Sequence, residues 1–413
     1  MLTFLAATGF SAALAMEGFR RRESRHTATL DTLDVNVHVN GIRGKSTVTR
    51  MIGGMLRAQG FTTIAKTTGT YACVIDHEGT EHPIKRVGPP NINEQYDILK
   101  QWVAKGANAA VFECMAVKPK YQALCQDVIL RSPICIITNV RLDHQEDMGD
   151  TLEEIAASLC STVPVDGTVI TGERNPKVVD ILREKCQARG ATLIVAEESE
   201  TSRALVDQFD YQQFEENVAI ALAVAELLGI DSATACRGML SAAPDPGTTR
   251  VTRISDAQQP DLFWVPMFAI NDWESTVRVF EDVQQGLPEG CRNVIALNNR
   301  ADRTDRAAMF VDLVSSELID SSDLIVLYGD IQEVVQRKLV DLGVPETEIV
   351  TTIDADDNDG RELVNAARLR FEPEENVAMY GMVNIHTEAV GAMERYIRDL
   401  VEGSRTKAEV AAP

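Results

Sequence analysis

The residues best suited to chemistry in this 413-residue chain begin with one short run, Gly41-Ile42-Arg43-Gly44-Lys45-Ser46-Thr47. It follows the strand-like stretch Val35 to Val39 and leads directly into a helical pattern. Glycines in such a place let backbone N–H groups approach phosphate oxygens, and the helix N-terminus adds the positive end of its dipole. Lys45 would then reach the β- and γ-phosphates, and the Ser46 hydroxyl would hold Mg²⁺. The chemistry implied is binding of ATP with Mg²⁺. Gly-Lys-Ser by itself is common, so the strand before it and the helix after it carry the reading. The spacing is also distinctive: two residues, Ile42 and Arg43, separate the glycines, where the ordinary phosphate loop has four.

Other groups fall at the ends of apolar runs. Thr67-Thr68-Gly69-Thr70 follows one, Phe112-Glu113-Cys114 closes a second, and Thr138-Asn139-Val140-Arg141-Leu142-Asp143-His144 closes a third. The carboxyl ends of parallel strands meet along one edge, where ligands bind in open α/β sheets. A glutamate and a histidine delivered there can serve a metal ion beside transferring phosphate. Taken alone, His144 reads as a structural residue; beside the loop and Glu113 it reads as metal-linked.

The shortened loop with these companions resembles the Mur ligase superfamily, which includes the peptidoglycan amino-acid ligases and folylpolyglutamate synthase. That resemblance implies an α/β fold, with a central phosphate-loop ATPase domain on a parallel sheet and a smaller C-terminal α/β domain. It implies Ser46, Thr70, Glu113 and His144 around the metal. Glu216-Asn217-Val218-Ala219 resembles the segment whose first asparagine reaches adenine, although Ile220 replaces the second. Pro246-Gly247-Thr248-Thr249-Arg250 resembles the entry to the C-terminal domain, where an arginine faces the phosphates. Ala269-Ile270-Asn271-Asp272 sits where the Mur ligases have a histidine at the place of Ile270, leaving Asn271 as the matching nucleotide contact. No lysine lies between His144 and Lys177 to match the carbamylated lysine of several members. Metal coordination then leans on Glu113, His144 and phosphate, or on another carboxylate such as Glu154. The UDP-binding domain of the Mur ligases has no counterpart ahead of the loop, so a nucleotide-sugar substrate is not expected.

Within the superfamily, one branch resembles this chain along nearly its whole length: the ligase subunit of poly-γ-glutamate synthase. The matching runs are Asn40 to Arg50, Lys66 to Thr70, Glu113-Cys114-Met115-Ala116-Val117, Asn299-Arg300-Ala301-Asp302-Arg303 and Gly381-Met382-Val383-Asn384-Ile385-His386. The resemblance implies an ATP-dependent carboxylate–amine ligase that extends poly-γ-glutamate. The chain-end carboxylate takes the γ-phosphoryl group of ATP, and the amine of glutamate displaces phosphate. Lys45, Glu113, His144 and Arg303 are the catalytic residues it implies, with Arg250, Asn271 and Arg303 closing over the site from the second domain. Arg300, Arg303 and Arg306 suit substrate carboxylates, although surface charge pairs give the same pattern. Lys85 and Arg86 are candidates for holding the polyanionic chain, and equally read as solvated charge. A folate-type glutamate ligase and a phosphate-loop protein that makes no amide are the alternatives.

The elements that must position these residues alternate, strand with helix, as in a parallel sheet wrapped by helices. Strands are expected near Val35–Val39, Thr62–Ala65, Ala109–Cys114, Ile134–Val140, Thr168–Thr171 and Thr192–Val195. Helices are expected near Lys45–Gln59, Glu94–Lys105, Thr151–Thr162, Pro176–Arg189 and Glu216–Leu228. Thr151 with Glu154 makes a capping box. Ala243-Pro244-Asp245-Pro246-Gly247 then breaks any regular element. A second series follows, with strands near Trp264–Ile270, Asn293–Leu297, Leu324–Tyr328 and Val377–Tyr380. The expected division is an apolar segment 1–22, an ATP-binding domain 23–243, a C-terminal domain 244–403 and a disordered tail 404–413.

Composition sets the limits. The net charge is -22, with 40 basic against 62 acidic residues, and no polybasic stretch lies inside the body of the chain. Sequence-independent nucleic-acid binding, which needs clustered Lys and Arg, is therefore not expected. Eight scattered cysteines with no CxxC spacing read as reduced core thiols. Residues 1–16 carry no charge, and Arg20-Arg21-Arg22 follows soon after. Positive charge behind the apolar stretch is not the order of a secretory signal. It suits an anchor, or a helix docked in a membrane partner, that holds the rest at the cytoplasmic face of the membrane; a frayed or core-packed helix is the alternative. The expected partners are glutamate, the growing polymer and small membrane subunits, and the sequence is compatible with a homo-oligomer.

Overall fold

The computed structural model describes residues 17, 20–69, 71–86, 88–245, 248–256 and 259–411. The chain forms two compact units that divide at Asp245, with the short piece Asp210–Gln212 belonging to the second.

The first unit is built on strands β1 (Val35–Asn40), β2 (Thr63–Lys66), β3 (Cys73–Ile75), β4 (Glu81–Pro83), β5 (Ala109–Glu113), β6 (Ile134–Ile137), β7 (Thr168–Thr171) and β8 (Thr192–Val195). They lie in the order β4-β3-β2-β5-β1-β6-β7-β8. All pairings are parallel except β2–β3 and β3–β4, which form an antiparallel edge. β3 and β4 are not among the strands expected from the sequence; strands so short carry too little periodicity to be seen there.

β1 is central and buried along its whole length. Its two faces differ. Val35, Val37 and Val39 join Met51, Ile52 and Met55 of the helix Lys45–Ala58 in one core. Asn36, His38 and Asn40 on the opposite face hydrogen-bond to Leu130 O, Gln126 Oε1 and Gln122 Oε1 at 2.7, 2.8 and 2.8 Å. These partners come from the helix Pro119–Leu124 and the π-helical turn Cys125–Leu130 that continues it. Polar side chains in a central strand need such partners, because an unmade buried hydrogen bond costs about 1–3 kcal/mol.

β6 ends at Ile137, three residues before the expected limit, because Thr138 and Asn139 leave the sheet to bind the loop after β1. The Thr151 cap is present, with the reciprocal Glu154 bond. All eight cysteines are unpaired thiols.

The second unit has β9 (Thr252–Asp256), β10 (Gln259–Pro266), β11 (Arg292–Asn299), β12 (Leu324–Gly329), β13 (Ile349–Thr351) and β14 (Asn376–Val383). Their order is β13-β12-β11-β14-β10-β9, parallel except for β9 against β10. β10 begins earlier than expected and stops at Pro266, so Ala269 to Asp272 lie in the turn beyond it. The last helix, Glu388–Ala411, runs through the stretch expected to be a disordered tail. The apolar segment 1–22 lies outside the described residues up to Met16, and residues 20–30 are helical. Among the described residues no helix is long and apolar enough to cross a membrane.

Candidate active site

The loop between β1 and the helix Lys45–Ala58 turns on two glycines, Gly41 at φ 122° and Gly44 at φ 77°. Both angles are left-handed and favour glycine. Space excludes a side chain as well: a Cβ on Gly41 would strike Thr138, and one on Gly44 would strike the Asn217 amide. The Arg43 peptide is held from both sides. Its N–H donates to Asn139 Oδ1 at 2.9 Å, and its carbonyl accepts from Thr138 Oγ1 at 2.6 Å. Its guanidinium reaches Asp143 at 3.0 Å. The loop is thus fixed by the segment after β6, and its helix carries no acidic residue in the first turn. The amide dipoles there are left to an anion.

Lys45 lies over this loop, donating to the carbonyls of Gly41 and Ile42 at 2.7 and 3.0 Å. Burial pushes its ammonium below the usual lysine range, opposed by the Glu113 charge. Ser46 Oγ donates to Glu113 Oε2 at 2.8 Å, and the same oxygen accepts from Thr68 N at 2.7 Å. Glu113 closes β5 and is 2% exposed. Loop, helix N-terminus, β2 end and β5 end therefore meet at one carboxylate. A hydroxyl and a carboxylate so placed are hard oxygen donors that fit a divalent cation.

The other expected ligands stand differently. Thr70 lies outside the described residues. His144 adopts φ 52° and is half exposed; its backbone N–H and its imidazole both face Asp143, at 2.8 and 3.8 Å. Among the described residues no three His, Cys, Asp or Glu side chains form a metal-holding group. Glu154 is committed to its helix cap: one oxygen accepts from Asp150 N, Thr151 N and Thr151 Oγ1. Asn217 is buried beside Gly44, and its Oδ1 has no hydrogen-bond partner.

Arg86 is turned inward, making a fork of two 2.9 Å bonds to Glu94, which also pairs with the fully buried Lys66 at 3.0 Å. That pairing gives Arg86 a structural partner, while Lys85 is exposed. Two groups had not been singled out in the sequence. One is Lys66 with Glu94. The other is Glu173, a buried carboxylate at the end of β7 that accepts from Val140 N, Arg141 Nη1, Arg174 N and Asn175 N. Its signal, an acidic residue closing a strand, is the one that marks Glu113.

In the second unit, Arg250 pairs with Asp210 at 2.5 Å on the surface. Asn271 donates to Ala269 O at 3.3 Å, its Oδ1 buried without a partner. Asp272 beside it caps the helix Trp273–Gly286. The loop after β11 holds Arg300 in a fork with Asp302, at 2.9 and 2.7 Å. Arg303 is exposed at the start of the helix Thr304–Leu313, and Arg306 reaches Asn384 Oδ1 at 3.4 Å. Arg300, Arg303 and Arg306 thus share one loop and the first turn after it.

This arrangement, a short phosphate loop with a strand-end carboxylate on its serine, defines a Mur-type ATP-dependent ligase, and residues 39–237 match the Mur ligase middle domain. Residues 251–400 match the poly-gamma-glutamate synthase CapB C-terminal domain. The chain belongs to the CapB family of poly-γ-glutamate synthases. It is 37% identical to the PGA synthase CapB of Bacillus subtilis (strain 168) over 374 residues, covering 90% of this chain and 92% of that protein. It is 42% identical to the capsule biosynthesis protein CapB of Bacillus anthracis over 287 residues, 69% of this chain and 61% of that one. Its fold is similar to that of a bifunctional folylpolyglutamate synthase/dihydrofolate synthase from Yersinia pestis, solved with AMPPNP and a manganese ion. That match has a TM-score of 0.62 at 13% identity and covers 91% of this chain and 92% of the other.

Proposed function

We propose that the chain extends poly-γ-glutamate with ATP and Mg²⁺, acting at the cytoplasmic face of a membrane with small membrane subunits. The chain-end carboxylate attacks the γ-phosphorus of ATP, forming an acyl phosphate as the P–O bond to ADP breaks. The neutral amine of glutamate then attacks the acyl carbon, and phosphate leaves as the amide forms and the nitrogen gives up one proton. Little covalent work falls to the protein, so positioning and charge neutralisation dominate.

The observation that carries this reading is the Ser46–Glu113 contact at the first turn of the loop's helix, with Lys45 beside it. Ser46 and Glu113 would hold Mg²⁺, which supplies charge neutralisation at the phosphates. The loop amides and Lys45 bind and orient the phosphates. Asn139 and Thr138 keep those amides aimed. Asn217 borders the loop at Gly44 with one free acceptor, suited to the nucleotide's donors. His144, held beside Asp143, is the second candidate at the metal's periphery. Within the second unit, Arg300, Arg303 and Arg306 offer the cations that suit the carboxylates of the incoming glutamate.

Labelling the acceptor carboxylate with ¹⁸O tests the acyl-phosphate step. Transfer of one ¹⁸O into released phosphate is expected; phosphate free of label would contradict it. A requirement for an added pteridine acceptor would favour the folate-type alternative.

A further inference from the structure

The helical residues 20–30 and the helix Asn93–Val103 enclose a pocket of about 390 Å³ in the first unit. Arg21, Arg22, Arg25 and Lys100 line it together with His26 and Tyr96, and no carboxylate is among its lining residues. In a chain of net charge -22, four cations converging on one pocket run against the field of the whole molecule. The pocket is held in shape from beneath. His26 is buried with Nε2 2.7 Å from Ile129 O and its ring 4.6 Å from that of Tyr96. Arg22 stacks over the Tyr96 ring at 4.9 Å. Glu23, the acidic residue on the same helical turn, is drawn away from the pocket by Arg131, which also donates to Thr27 Oγ1 at 3.1 Å. Arg21 carries a pair with Glu17 at 2.7 Å, whereas Arg25 and Lys100 are exposed.

We propose that this pocket binds the phosphate headgroup of an anionic lipid and seats the first unit on a membrane surface. The chemistry of the lining calls for an anionic ligand, and its size admits a phosphodiester headgroup rather than a bare ion. Its place in the chain selects the lipid. The residues immediately before it, 1–16, are uncharged and mostly apolar in sequence, so any bilayer that receives them lies next to the pocket. Each cation near an anionic surface contributes about 1 kcal/mol, a factor of about five in binding. An acidic protein approaching a negative leaflet needs such a local reversal of charge.

The test uses the full chain and vesicles of phosphatidylcholine, with and without phosphatidylglycerol, in co-sedimentation. Arg25→Gln with Lys100→Gln is the informative variant, since neither residue makes the contacts that dock the helix. Tighter binding to the anionic vesicles is expected, falling on the order of 25-fold in the double variant and weakening with salt, with glutamate-dependent ATP turnover in detergent unchanged. Equal binding to both vesicle types, or an unchanged affinity in the variant, overturns the proposal. So does a variant that loses affinity for inorganic phosphate, or for soluble poly-γ-glutamate, while holding anionic vesicles as before.

Discussion

The Ser46 hydroxyl and the Glu113 carboxylate meet at 2.8 Å, joining the first turn of the loop's helix to the end of β5. The carboxylate oxygen that Ser46 reaches is also held by the Thr68 amide, so three separate chain segments converge on one atom. Replacing Glu113 with Gln keeps the volume and removes the charge. Glutamate-dependent ADP release by E113Q is expected to fall on the order of a hundredfold, with dependence on Mg²⁺ shifted to higher concentration. Turnover within a factor of about two of the parent would remove Glu113 from the metal site.

Gly44→Ala tests the loop. Its φ of 77° costs a side-chain-bearing residue about 1–2 kcal/mol, and the new Cβ would enter the Asn217 amide. Denaturant titration of G44A should show a loss larger than the conformational cost alone, together with weaker nucleotide binding. Adding Asn217→Ala should restore the part due to crowding and leave the conformational part. A G44A variant as stable as the parent would contradict the geometry.

Much of this site was legible in the sequence because it is local. The glycine spacing, the strand before Asn40 and the helix from Lys45 all lie within one short stretch. Glu113 was legible from its position closing an apolar run. The clamp on the Arg43 peptide was not, because Thr138 and Asn139 reach it from far along the chain, and their motif reads as readily as a continuation of β6. The ladder of Asn36, His38 and Asn40 was also hidden: its partners Gln122, Gln126 and Leu130 sit on a helical segment with a π-turn that no periodicity announces. The short edge strands β3, β4 and β9 depend on pairing rather than on their own pattern. Arg86 looked like a free surface cation until the fold placed Glu94 and Lys66 beside it.

That trio makes stability depend on pH. Burial raises the pKa of Glu94, but Arg86 and Lys66 outweigh it and hold the carboxyl below its ordinary value. Its contribution is therefore present above about pH 4.5 and is lost as the pH falls through the folded value. Glu94→Gln should flatten this acid limb and cost about 3 kcal/mol at neutral pH, because Lys66 is left buried without its partner. Burial also holds the Lys66 pKa below the ordinary 10.5. Raising the pH through the folded value should discharge Lys66 and recover part of the variant's stability. Denaturation profiles of parent and E94Q that stay parallel across pH would contradict this reading.

Arg300 and Arg303 separate structural from substrate roles in the second unit. The Arg300–Asp302 fork is largely exposed, so Arg300→Ala should change stability by no more than about 1 kcal/mol. Arg303→Ala is expected to raise the KM for glutamate about tenfold, with a smaller effect on kcat. An unchanged KM in both variants would make this loop a run of surface charge.

The central claim is that ATP is spent to join glutamate to a carboxylate. It is tested most directly by incubating the full chain, in membranes, with ATP, Mg²⁺ and glutamate, and measuring ADP release and γ-linked product together. The account predicts ADP release that requires glutamate and matches the amide bonds formed. ADP release at the same rate without glutamate, and with no γ-linked product, would contradict it.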